Sequence, residues 1–76
     1  NMVYIDIIKD GLFITLNCHK GTKDGKFFQL VIDPRTREVI QKPKEPDIDA
    51  TVAYSCIYSM LKSGKELPDH TVAEWG

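Results

Sequence analysis

Three stretches in the first half of the chain alternate apolar and polar residues with period two, and turn residues separate them. Val3 to Lys9 reads V-Y-I-D-I-I-K, Leu12 to Lys20 reads L-F-I-T-L-N-C-H-K, and Lys26 to Asp33 reads K-F-F-Q-L-V-I-D. Side chains along a strand point to alternate faces, so each stretch reads as a strand with one face for a core and one for something else. Asp10-Gly11 between the first two is a strong hairpin signal, because a two-residue type I′ turn needs positive φ at both central positions. That turn predicts Ile7 opposite Ile14, Ile5 opposite Leu16 and Val3 opposite Cys18 on one face. On the other face it pairs Ile8 with Phe13, Asp6 with Thr15 and Tyr4 with Asn17. A slip of one residue would scramble the two sets.

The second connection, Gly21-Thr22-Lys23-Asp24-Gly25, is polar and bounded by glycines. With Lys20 opposite Lys26, Cys18 meets Phe28, Leu16 meets Leu30 and Ile14 meets Ile32, and the apolar face continues into a third strand. A tighter turn at Asp24-Gly25 would set Leu16 opposite Asp33, so parity selects the five-residue loop. Asp33-Pro34-Arg35-Thr36-Arg37 is a turn, with proline at the position that favours a fixed φ. Glu38 to Lys42 then forms a fourth, edge strand stopped by Pro43. This turn and the strand after it resemble the D-x-x-T-G-E-V hairpin of small secreted β domains such as PepSY modules, with Arg37 in place of the glycine. The likeness covers about a dozen residues and carries no function with it.

Beyond the proline-rich linker of residues 42–46 the period changes. Val52, Ala53, Cys56, Ile57, Met60 and Leu61 fall on one helical stripe, with Thr51, Ser55 and Lys62 opposite. Asp47 or Asp49 can cap the helix start, and Gly64 suits its end. The expected fold class is therefore α+β: one domain over residues 1–76, an antiparallel four-stranded β-meander (3–9, 12–20, 26–33, 38–42) followed by one amphipathic helix (48–62). The order is β-β-β-β-α, with the helix over Ile5, Ile7, Ile14, Leu16, Leu30 and Ile32. The tail, 65–76, can be a short turn, a fifth strand or an irregular segment held by Trp75.

Little in this chain points to chemistry. The soft metal ligands are Cys18, Cys56, His19 and His70. Neighbours in a strand face opposite ways, so Cys18 and His19 cannot chelate together, and both cysteines lie on apolar faces where a thiol acts as a small hydrophobe. A Cys18–Cys56 disulfide is conceivable but not expected in a reducing compartment. Ser55, Ser59 and Ser63 have no histidine near in sequence, and the carboxylates Asp6, Asp10, Asp24, Asp33, Glu38 and Glu45 are scattered over different turns and strands. Turns and caps account for Gly11, Gly21, Gly25 and Gly64, which leaves no phosphate-cradling loop. The expectation is a non-enzymatic domain with no cofactor, no metal and no small-molecule substrate. With Asn1 read as a leftover residue ahead of a natural start at Met2, and no leader or apolar span, the expected compartment is the cytoplasm.

Two surfaces remain as candidates. Ile8, Phe13, Phe27 and Val31 point away from the helix, joined by Ile40 if Val39 faces inward. A wet sheet face should be polar, so this set reads as a protein–protein surface, first of all for a homodimer, unless a tail led by Val72 and Trp75 folds over it. The runner-up is a nucleic-acid-binding or regulatory role for Lys20, Lys23, Lys26, Lys42 and Lys44, gathered at one end. Ten Lys and Arg against eleven Asp and Glu, a net charge of −1, make nucleic acid the less favoured partner, and no membrane partner is expected.

Overall fold

The computed structural model describes all residues, Asn1–Gly76. It contains β1 (Met2–Asp10), β2 (Phe13–Lys20), β3 (Phe27–Ile32), β4 (Val39–Gln41), α1 (Ile48–Ser63) and β5 (His70–Glu74). The sheet order is β4-β3-β2-β1-β5, all antiparallel, so four strands follow the expected meander and the tail adds a fifth beside β1. Of the three readings of the tail, the strand is the one realised.

The helix covers the face that the alternation selects. Val3, Ile5, Ile7, Ile14, Leu16, Cys18, Phe28, Leu30 and Ile32 are buried, and Ala53 and Ile57 seat the helix on them. Val52, Cys56, Met60 and Leu61 flank the contact half-buried, while Thr51, Ser55 and Lys62 are exposed. Asp47 is the helix cap: its Oδ1 accepts from the Asp49 N–H at 2.9 Å, and Gly64 closes the other end at φ 75°. Leu67 and Ala73 complete the core from the tail.

The β2–β3 register is as expected, with Cys18 opposite Phe28, Leu16 opposite Leu30 and Ile14 opposite Ile32. Gly25 lies where that loop folds back on itself. A Cβ there would sit 1.7 Å from the Lys20 carbonyl oxygen, so no other residue fits without moving backbone.

The first hairpin differs from expectation by two residues. Asp10 pairs with Phe13, so Ile7 meets Leu16, Ile5 meets Cys18, and Ile8 meets Thr15 rather than Phe13. The turn residues are Gly11 and Leu12, with positive φ at Gly11 alone. That pattern belongs to a II′ turn, which needs only its first central residue at positive φ and spares Asp10 the conformation a Cβ disfavours. A shift of two keeps every side chain on its expected face and changes only its partners. The cost is Leu12, which sits 67 % exposed at the tip.

At β4, Val31 pairs with Gln41 and Ile32 with Val39, leaving Ile40 as an extra, exposed residue in a bulge. Arg37, standing where the resembling hairpins have glycine, holds φ at 65°. Its carbonyl accepts from Tyr54 Oη at 2.5 Å, and its guanidinium carbon lies 5.6 Å from the Tyr58 ring centroid. No helix is long and apolar enough to cross a membrane.

Candidate protein-contact site

The sheet face away from α1 is laid out in rows that follow from the register. One row crosses the sheet as Phe27, His19, Tyr4 and Val72; the next as Gln29, Asn17, Asp6 and His70; the third as Val31, Thr15 and Ile8, with Phe13 beyond it on β2. A polar belt therefore runs between two apolar rows. The belt is partly bonded within itself: Gln41 Nε2 donates to Gln29 Oε1 at 3.2 Å, and Gln29 Nε2 donates to Asn17 Oδ1 at 2.8 Å.

The apolar rows are open to solvent. Ile8 is 42 % exposed, Phe13 41 %, Phe27 52 % and Val72 41 %, with Val31 half-buried among them. The four expected contact residues thus share one face. Ile8 and Phe13 are diagonal neighbours rather than a directly opposed pair, a consequence of the two-residue shift in the hairpin. Trp75 does not cover them. Its N–H donates to the Asn1 carbonyl at 3.0 Å and its side chain packs with the core, on the helix side of the sheet. Val72, also expected as a cover, instead lies beside Tyr4 and enlarges the apolar row. A tail that forms an edge strand cannot fold back over the face of its own sheet.

His19 is engaged locally. Its Nδ1 is 2.9 Å from the Gly25 carbonyl oxygen and its ring lies 5.4 Å from that of Phe27, so it braces the second loop. Cys18 faces the core, where burial pushes its thiol up to about 12, and burial also raises that of Cys56. Both are free thiols. No three His, Cys, Asp or Glu side chains gather at metal-binding distance.

The lysine-rich end is divided by its own acids. Lys20 Nζ donates to Asp47 Oδ2 at 2.5 Å and lies 3.9 Å from Asp49 Oδ2, which holds its ammonium above the usual lysine range and the Asp47 carboxyl below the usual carboxylate range. Lys42, Lys44, Glu45 and Asp47 line an open cleft of about 470 Å³ together with Leu30, Val39 and Tyr54. Lys23 and Lys26 are exposed. With Asp47 paired to Lys20, the five lysines of this end stand among four carboxylates, Asp24, Glu45, Asp47 and Asp49, too mixed for the one-signed field that draws phosphates.

Sequence reasoning missed the polar belt, this cleft and the free edge of β5. The belt needs the register across four strands, and the cleft and the edge need the path of residues 38–76; only the Gln29–Asn17 pairing was within reach of the parity argument. No family model matches the chain, and the comparisons with curated proteins and with solved structures return no match.

Proposed function

We propose that this protein is a non-enzymatic, cytoplasmic domain that works through protein–protein contacts, with a second copy of itself as the first occupant of the open sheet face. The observation that supports the reading most is the sharing of one face by Ile8, Phe13, Phe27 and Val72, each more than two-fifths exposed. Fully burying side chains of this kind yields roughly 1.5–3 kcal/mol each, and about half of that is still available here. In a symmetric contact each copy buries four of them, eight in all, which returns roughly 6–12 kcal/mol, above the lower estimates, about 4 kcal/mol, of the freedom lost on association. The resulting self-association is weak, in the micromolar range or above, and concentration-dependent. Sheets also stack face to face at ~10 Å through such apolar rows. The ion pairing of Lys20 weighs against the alternative, a nucleic-acid-binding role at the lysine-rich end.

Phe13→Asp tests the reading. Phe13 lies outside the buried core, so the fold is retained, while a charge now enters the contact. The sedimenting mass at high concentration should fall by half. A mass unchanged by Phe13→Asp, with wild type assembled, removes the open face as the contact.

A further inference from the structure

The two edges of the sheet are unlike. β4 has three residues, carries a bulge at Ile40 and runs into Pro43, all devices that keep an edge from pairing with another chain. β5 at the other edge reads H-T-V-A-E and has no Pro, Gly, Lys or bulge.

The ladder to β1 fixes which of its groups are free. Ile7 N–H donates to the Asp69 carbonyl and Trp75 N–H to that of Asn1, so residues 69, 71, 73 and 75 face β1. In an antiparallel strand the alternate residues then direct both N–H and C=O the other way. Those residues are His70, Val72 and Glu74.

We infer that β5 pairs antiparallel with β5 of a second copy, with Val72 opposite the partner's Val72 on a two-fold axis normal to the sheet. Three features select this occupant and this register. Centring on Val72 sets His70 opposite the partner's Glu74 and the reverse, so every residue with outward-directed groups meets another such residue. The same register places a nitrogen-donor ring opposite a carboxylate twice, whereas a shift of two would set Glu74 opposite the partner's Val72 and leave both ends unmatched. The side chains of His70, Val72 and Glu74 all lie on the open face, so pairing brings none of them into contact with the helix layer. A two-fold axis normal to the sheet sets both open faces on the same side of one ten-stranded sheet. The edge contact shares Val72 with the face contact but engages its backbone groups, where the face contact engages its side chain.

Residues directly opposite in a hydrogen-bonded antiparallel pair have Cα atoms ~5.5 Å apart, inside the ~4.4–6.8 Å span of a disulfide. The test is oxidation of Phe13→Asp/Val72→Cys, a background in which the face contact is disabled, followed by non-reducing electrophoresis. Two thiols held together this way experience an effective concentration in the millimolar range, so at ~100 μM protein crosslinking should run roughly tenfold faster than for Phe13→Asp/Thr71→Cys, whose residue opposes the partner's Ala73. Phe13→Asp alone controls for Cys18 and Cys56. Glu74→Lys, at an exposed position, should slow the Val72→Cys reaction, and adding His70→Glu should restore it by setting a carboxylate opposite the new ammonium. Equal rates at positions 71 and 72, or no response to either charge change, overturn the edge pairing without bearing on the open face.

Discussion

Lys20 Nζ and Asp47 Oδ2 meet at 2.5 Å, joining the end of β2 to the cap of α1 while the other Asp47 oxygen bonds the helix N–H of Asp49. One carboxylate thus serves as both cap and counter-ion. Asp47→Ala should cost about 1 kcal/mol through the cap alone, whereas Asp47→Asn, which still caps, should lose mainly the ion pair. The Asp47 carboxyl is held below its unfolded value, first by the Lys20 bond. Its contribution is therefore present above the unfolded carboxylate range and lost as pH falls through the folded value. Urea titrations of wild type and Asp47→Asn from pH 7 to pH 2 should converge in acid and separate above it.

Cys18 has no exposed surface and a thiol raised to about 12, first by burial. The raised value means that the buried thiol favours folding below the unfolded value near 9. That contribution drains away between pH 9 and 12, at up to about 1.4 kcal/mol per unit. A Cys18→Ala variant, less stable at neutral pH by about 1–3 kcal/mol, should therefore draw level with wild type as pH rises above 9. Alkylation kinetics give an independent check: Cys18 should react only at the rate of global unfolding.

Arg37 occupies a left-handed conformation that costs a residue with a Cβ about 1–2 kcal/mol, and its guanidinium recovers part of this over the Tyr58 ring. Arg37→Gly should accordingly be close to neutral in wild type. In a Tyr58→Ala background, where no ring remains to lose, the same change should stabilise by roughly 1 kcal/mol. Thermal denaturation of the four proteins measures the difference directly.

Which parts of this were legible in sequence follows from parity. Period-two alternation sorts side chains between faces without knowing their partners, so Ile5, Leu16 and Leu30 are assigned to the core correctly even though the first hairpin is shifted by two. Partners depend on turn type, and Asp10-Gly11-Leu12 admits two turns that differ in which residues take positive φ. The tail is harder. Its alternation spans only His70 to Glu74, and its pairing with β1 is set by the reach of Gly64 to Asp69 around the sheet edge, which leaves no local trace. The candidate face was visible as Ile8, Phe13, Phe27 and Val31; that Val72 joins it and Trp75 does not followed only from where β5 lands.

Gly25 offers a sharper check of the second loop. A Cβ there meets the Lys20 carbonyl oxygen at 1.7 Å, so Gly25→Ala must displace backbone. It should destabilise by more than about 1 kcal/mol and release His19 from the Gly25 carbonyl, read as loss of hydrogen-exchange protection at Lys20, whose N–H donates to Lys26 across the loop neck.

The central claim is that the open sheet face is a contact surface for a second copy. The most direct measurement is a concentration series of amide and methyl NMR spectra, from tens of micromolar to about a millimolar, the range in which a contact of this strength fills. Resonances of Ile8, Phe13, Phe27 and Val31 should shift together along one binding curve, while Ala53 and Ile57 under the helix and Ser55 on its outer side stay fixed. Spectra that do not change across the series, or shifts that gather on the helix and leave Phe13 and Phe27 unmoved, would contradict it.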